Sequence, residues 1–334
     1  MPLFSIIIPA YNAEKHIRFC IESVLKQDFV SDQYEIIVID DCSPDNQVQI
    51  LKEYEKIYKN IIFLQHKNNL RQGGGRNSGL EIARGKWIFF LDSDDYWLRK
   101  DVLKIFYHII EKYPNVDIIE SSQFITTDKK NINIESETFD IQPKIVAPQE
   151  YYNLNPHPCI WASVYKKDYI TKFRFREKVF FEDADWKIKV YTNTTKILLI
   201  DFPFYAYYND QNSTTRGNNP QAYFDQIIAN DSCHKEWLNS GLSSDFKENV
   251  LKSFHIIYVN MIKKINNYPF NSRIDLLRKL HSSESFNHSK KYFNKKENLL
   301  VYGFNKFPLM MIYSLRMVQY AKKFLLDIFK KFNY

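Results

Sequence analysis

The chain reads as an α/β protein built on a mostly parallel central sheet, followed by a helical C-terminal region. Three observations carry that reading. Apolar, β-branched or aromatic runs at 4–10 (FSIIIPA), 35–40 (EIIVID), 61–65 (IIFLQ) and 86–92 (KWIFFLD) alternate with helical periodicity at 14–25, 47–58, 73–84 and 98–112. The runs are apolar throughout rather than alternating, as in strands covered on both faces, and parallel sheets are covered that way. Beyond residue 117 the pattern loosens into strand-like pieces (DIIESSQFI, CIWASVYK, KILLID, FYAYYN), and from about residue 221 the chain turns helical and basic.

At 334 residues the chain suggests about two units, on a rule of roughly 150 residues each. The expected division is an α/β domain over 1–218, with halves 1–116 and 117–218, and a helical region over 219–334. The net charge of +7 favours anionic partners without selecting among them, and no nucleic-acid partner is expected. Cys20, Cys42, Cys159 and Cys233 show no C-x-x-C spacing, so neither a disulfide framework nor a zinc site is readable and a reducing compartment fits best. The N-terminus lacks a basic segment and cleavage site, and no apolar run approaches the ~20 residues of a membrane span. The expectation is a cytoplasmic protein. Its last stretch, 299–334, is basic, and Arg316, Gln319, Lys323, Asp327 and Lys330 recur at helical spacing as one polar stripe. Such a helix either lies in a membrane interface or packs on protein.

Ligands of open α/β sheets sit beyond the carboxyl ends of the strands. Asp92, Asp94 and Asp95 follow the fourth run directly. Three carboxylates in four residues repel one another unless neutralised, and a hard divalent cation is their natural counterion; the alternative is that they cap the helix expected near residue 98. Asp40 and Asp41 end the second run, placed either to accept from a nucleoside or to cap a helix alongside Ser43 and Asp45. Tyr11 either stacks on a base or is buried with its hydroxyl paired. In 68–77 (NNLRQGGGRN) three glycines at a helix start let backbone N–H groups approach a phosphate, with Arg71 and Arg76 supplying charge. Neither a dinucleotide fingerprint nor a P-loop is present. Glu182, Asp183 and Asp185 open a further helical pattern, where acids are favoured by the helix dipole.

Taken in order, SIIIPAYNAEKHI, EIIVIDDCSPD, GGGRNSGLEIARG, WIFFLDSDD, FFEDADW and YAYYNDQNST resemble the inverting family 2 glycosyltransferases, whose catalytic domain has the GT-A fold. The resemblance runs from about residue 3 to 215. It implies that Pro9, Ala10 and Tyr11 line a nucleoside pocket, that Asp41 contacts the base, and that Arg76 lies near the diphosphate or its loop. Asp92 and Asp94 would form the D-x-D, with Asp94 the direct ligand of Mn²⁺ or Mg²⁺, and Asp183 would be the general base. The implied donor is a nucleotide-sugar, a UDP-sugar above all. The implied acceptor is a glycan or lipid-linked glycan in bacterial surface polysaccharide synthesis. Departures are Gly75 for the usual Ala, Cys42 for the usual Gly, and Asn209 after Tyr208 where an Arg is common, for which Arg216 is a substitute. The competing readings are a nucleotidyltransferase, which would want a Gly-rich loop after the first strand, and an inactive nucleotide-sugar-binding protein, against which the intact DSDD and ED segments speak.

Overall fold

The apolar runs become strands β1 (Phe4–Ala10), β2 (Tyr34–Asp40), β3 (Ile61–Gln65) and β4 (Trp87–Phe90). Every residue of β1, β2 and β4 is buried, which is why these segments show no polar alternation. Between and after them come α1 (Ile17–Leu25), α2 (Gln47–Ile57), α3 (Arg71–Ile82) and α4 (Val102–Lys112). A computed structural model describes residues 1–128, 141–154, 157, 159–209, 219–264, 268, 270–294 and 297. The basic stripe at 316–330 and Arg216 lie outside these described residues.

The remaining elements of this part are β5 (Tyr96–Trp97), β6 (Ile118–Ser121), β7 (Ile125–Thr127), β8 (Lys144–Val146), α5 (Pro148–Asn153), β9 (Ser163–Lys166), α6 (Lys167–Ile170), α7 (Glu182–Thr192), β10 (Ile197–Ile200) and β11 (Tyr205–Tyr208). Eight strands form one sheet in the order β3-β2-β1-β4-β9-β6-β10-β8. Four of its seven pairings are parallel; β9 runs antiparallel to β4 and β6, and β8 antiparallel to β10. Alternate residues of the strands feed two cores. Ile6, Ile8, Val38 and Phe89 pack under α1, α2 and α4; Ile7, Ile37, Ile39 and Phe90 pack under α3 and α7.

A second, three-stranded sheet (β5-β11-β7) accounts for two differences from the sequence expectation. Tyr96 and Trp97 pair with β11, so α4 begins at Val102 rather than near residue 98. The run DIIESSQFI is divided: β6 joins the large sheet and β7 the small one. Short pairings of two to four residues leave no periodicity to read.

The chain divides into two compact units, the first comprising Met1–Arg216 with Asn239–Leu242 and the second beginning at Gly217. In the second, α8 (Pro220–Asn239), α9 (Ser244–Lys264), α10 (Phe270–Ser282) and α11 (Glu284–Ser289) are helical. Asp231 of α8 accepts from the Ser283 hydroxyl and the Ser285 amide, tying α8 to the start of α11. Among the described residues no helix is long and apolar enough to cross a membrane.

Close packing of α3 on β1 depends on the lack of a side chain at Gly79, where an added Cβ would stand 2.4 Å from Ile7 Cγ2. Ile7 is fully buried and has nowhere to move. Ala at a helix interior gains about 1 kcal/mol over Gly, but overpacking costs about 1–3 kcal/mol. Gly79→Ala is therefore expected to lower the urea midpoint, whereas Gly241→Ala, with open space around it, is expected not to.

Candidate active site

The parallel strands bring four sequence segments to one edge. The Asp41 amide donates to the Ala10 carbonyl (2.9 Å), the His66 amide to the Asp40 carbonyl (2.8 Å), and the Leu91 amide to the Ile7 carbonyl (3.0 Å). Pro9 and Ala10 are buried in β1, while Tyr11 just beyond them is 52% exposed. The alternative of a buried, paired Tyr11 is thereby set aside; its ring is open for stacking.

Adjacent acids at the end of β2 separate into two roles. Asp40 is consumed: its Oδ1 accepts from Gln47 Nε2 (2.5 Å) and its Oδ2 from Gln65 Nε2 (3.2 Å). Asp41 is 2% exposed, and its Oδ1 accepts from the Leu70 amide and pairs with His66 Nδ1, both at 2.8 Å. Its Oδ2 is buried with no partner. Neither acid caps α2, whose N-cap is Asn46. Cys42 has φ of 61°. That left-handed geometry suits the Gly usual in this family and costs a Cys roughly 1–2 kcal/mol.

The three acids after β4 also divide. Asp95 is 1% exposed and serves the small sheet: its Oδ2 accepts the Tyr205 hydroxyl (2.6 Å) and its Oδ1 the Tyr208 amide (2.7 Å). Burial, reinforced by Asp94 and Asp92, holds its carboxyl well above the usual range. Asp92 Oδ1 accepts from Arg76 (2.8 Å). Asp94 is half-buried between them. None of the three caps α4, whose N-cap is Asp101, so the capping alternative is overturned.

A metal can be tested against this donor set. Among the described residues no group of three or more His, Cys, Asp or Glu could hold an ion by itself. With Asp95 engaged by β11 and one Asp92 oxygen by Arg76, this strand end could turn at most two carboxylates toward an ion, Asp94 and the second oxygen of Asp92. That fits Mg²⁺ or Mn²⁺ held by one or two carboxylates, substrate phosphates and water, and does not fit an all-protein cage.

Arg76 is buried on α3, its guanidinium donating to Asp92 Oδ1 (2.8 Å) and to Glu182 Oε1 (2.5 Å). It therefore joins the end of β4 to the start of α7. Burial works against its charge, but Asp92, Glu182 and Asp183 around it raise its proton affinity above that of an ordinary Arg. Gly75, one residue earlier, has no Cβ to meet Pro9 Cβ at 2.9 Å. That places the start of α3 against β1 and explains the departure from Ala.

At the start of α7, Phe181 takes a left-handed φ of 59° and three acids follow. Their fates differ. Glu182 is paired with Arg76, and burial pushes its carboxyl up to about 7 against Arg76's pull. Asp185 is paired with Arg176 and Lys189, both at 3.0 Å. Asp183 accepts the Ala184 amide (2.8 Å), and among the described residues no cation lies within ion-pair distance of it. Burial raises its carboxyl; Arg76 lowers it and Asp92 raises it further.

Sequence reasoning missed His66, the Arg76–Glu182 link and the Asp95–Tyr205 bond. None leaves a local signal, since each joins elements far apart in the chain. Asn209 departs from the Arg common in the family, and here its amide donates to the Thr127 carbonyl (2.7 Å), extending the β7–β11 ladder.

A mostly parallel α/β sheet with acids at the ends of β2 and β4 and at the start of α7 defines the class: a GT-A fold. Residues 5–174 match the family model described as Glycosyl transferase family 2, and the chain belongs to that family. It is 27% identical over 259 residues to poly(ribitol-phosphate) beta-N-acetylglucosaminyltransferase TarS of Staphylococcus aureus, covering 76% of this chain and 44% of TarS. It is 32% identical over 210 residues to the poly(ribitol-phosphate) beta-glucosyltransferase of Bacillus spizizenii, covering 60% of this chain and 31% of that protein. The chain thus spans less than half the length of these relatives. Its fold matches the crystal structure of S. aureus TarS 1–349 in complex with UDP-GlcNAc, with TM-score 0.70, 23% identity and coverage of 97% and 92% of the two chains. It also matches the mannosyltransferase PcManGT from Pyrobaculum calidifontis in complex with GDP-Man and Mn²⁺, with TM-score 0.55, 13% identity and coverage of 98% and 88%.

Arg76→Gln leaves the buried carboxylates without their cation, a change expected to cost about 3–5 kcal/mol. The sign follows from the raised carboxyls. Glu182 titrates near 7 in the fold against an ordinary 4.5, and losing Arg76 raises it further. The folded state of the variant then favours protonated acids, so its deficit in melting temperature is expected to be larger at pH 8 than at pH 5. An equal deficit at both values would contradict the ion cluster.

Proposed function

We propose that the chain is a metal-dependent, inverting glycosyltransferase that moves a sugar from a nucleotide-sugar, a UDP-sugar first, onto an acceptor hydroxyl. One observation carries the reading: of the three acids opening α7, Asp183 alone is left without a cation and stands beside the Arg76 cluster that also holds Asp92. A general base must be free to take a proton, and burial raises its affinity for one.

Tyr11, Pro9, Ala10 and Asp41 hold the nucleoside. Asp94 would hold Mn²⁺ or Mg²⁺ together with the donor's own phosphates, and the ion would supply charge stabilisation to a departing diphosphate. Asp92 is held by Arg76 beside it. Asp183 takes the proton of the acceptor hydroxyl as that oxygen bonds to the anomeric carbon. The bond from this carbon to the diphosphate oxygen breaks on the opposite face, with inversion. Arg76 acts on the diphosphate through Asp92, a more indirect part than the family resemblance implied.

The relatives that act on poly(ribitol-phosphate) support a bacterial cell-wall or surface polymer as acceptor, a glycan or lipid-linked glycan. The charge of +7 suits a polyanionic chain. A cytoplasmic location, at the inner face of the membrane through the basic segment 299–334, belongs to the same reading. Flotation with anionic liposomes is expected for the full chain and lost on truncation near residue 298; equal flotation of both removes the membrane contact.

Two measurements test the chemistry. EDTA is expected to abolish transfer and Mn²⁺ to restore it, and Asp94→Ala to lose metal-dependent nucleotide binding by calorimetry; unchanged binding in that variant defeats the metal assignment. Asp183→Asn is expected to bind donor nucleotide normally but turn over slower by about 10²-fold or more. Asp185→Asn, which disturbs only the pairs to Arg176 and Lys189, is expected to remain active at reduced stability. If Asp183→Asn keeps most of its rate, the base lies elsewhere.

A further inference from the structure

Between the end of β3 and the middle of α3 a chain of three side chains runs behind the edge that holds Asp41. Ser78 Oγ lies 2.8 Å from His66 Nε2, and His66 Nδ1 lies 2.8 Å from Asp41 Oδ1. An ionised carboxylate only accepts, so Nδ1 carries the imidazole proton and Nε2 is left to accept the Ser78 hydroxyl. The arrangement resembles a hydrolytic triad in its distances. However, Ser78 sits inside α3, away from the sharp strand-to-helix turn that exposes a nucleophile. What the chain does reach is Asp41.

Asp41 Oδ1 is saturated by His66 and by the Leu70 amide. Its Oδ2 is buried and receives nothing. A buried carboxylate oxygen without a donor is costly, and the cost is removed by any ligand that brings an N–H to it. Oδ1 is held from two sides, which fixes the plane of the carboxylate and the direction in which Oδ2 accepts.

We propose that His66, braced by Ser78, is a positioning residue that makes Asp41 select nucleobases presenting an imino N–H, as uracil does at N3, over those presenting a bare nitrogen there, as cytosine does. This rests on the nucleoside pocket placed above at Tyr11 and Asp41. Without the imidazole, the Asp41 carboxyl is free to rotate, and its acceptor is no longer fixed where an imino N–H would meet it.

The test compares UDP with CDP, which share their sugar and phosphates and reverse the hydrogen-bonding sense at N3 and at C4. Calorimetry in excess Mn²⁺ is expected to give the wild-type protein a preference for UDP of about 10–100-fold. His66→Phe keeps the ring without its nitrogens and is expected to bring the ratio close to one, mainly by weakening UDP. His66→Gln can donate to Asp41 and accept from Ser78, so it is expected to recover most of the ratio, and Ser78→Ala to lose part of it. A role confined to tying β3 to α3 would lower the melting temperature of His66→Phe and leave the ratio alone. A folded His66→Phe with the wild-type ratio therefore overturns the proposal, as does an unaltered ratio in Ser78→Ala and His66→Gln if the Phe variant fails to fold. Wild-type protein that binds UDP no better than CDP overturns the imino selection while the nucleotide site stands. Protein that binds neither overturns both.

Discussion

One buried guanidinium ties the end of β4 to the start of α7. Arg76 reaches Glu182 across 106 positions of sequence and Asp92 across 16, and burial of the guanidinium limits the screening of both pairs. The end of β4 and the start of α7 both project acids toward the same space, and without a cation their mutual repulsion would push the two elements apart. A lysine would supply the charge but not the fork. The planar guanidinium sends two separate N–H groups to two carboxylates in fixed directions, which an ammonium on a flexible stem cannot do. The glycines around it serve the same end, since the absence of a Cβ at Gly75 and Gly79 lets α3 seat Arg76 directly behind β1.

From below, a second buried network braces the helix that carries Asp183. Lys187, one turn along α7, is paired with Glu120 of β6 at 3.0 Å and donates to the carbonyls of His157 and Cys159. Glu120 also accepts from Tyr151, Ser163 and Tyr191. Burying so many polar groups is tolerable only when nearly all are satisfied, and here the carboxylate gathers hydroxyls from α5, β9 and α7 at once. The gain is positional. α7 is fixed at its first turn by Arg76 and at its second by Lys187, so the Asp183 carboxyl has little freedom to drift.

How much of this is legible in the chain depends on whether the controlling partner is near in sequence. Strands β1, β2 and β4 declare themselves because total burial keeps their length apolar, save for Ser5, Glu35 and Asp40, whose polar atoms are paired. The places where ligands gather then follow from topology. Asp40 and Asp41 are indistinguishable as letters, yet one is spent on Gln47 and Gln65 while the other keeps an open oxygen. Asp95 looks like its neighbours until Tyr205 and Tyr208, about 110 residues later, claim both its oxygens. His66 has no pattern at all around it; it meets Asp41 and Ser78 only because β3 ends beside β2 and α3 returns over β1 and β2. Where sequence reasoning went astray, at the start of α4, two residues had been taken into a strand pairing that is too short to leave a period.

The raised carboxyls of Glu182 and Asp183 follow from the same economy of charge. One guanidinium faces three carboxylates, so full ionisation would leave the cluster strongly negative in a place that water reaches poorly. Arg76 is already committed to Asp92 and Glu182, and Asp183 feels it only at longer range, opposed by burial and by Asp92. Its carboxyl is therefore raised above that of an ordinary aspartate, with Arg76 limiting the rise. Because Asp92 belongs both to this balance and to the strand end where Asp94 stands, the proton affinity of Asp183 and the electrostatics at the end of β4 are two readings of one charge distribution. A substitution on either side must move the other.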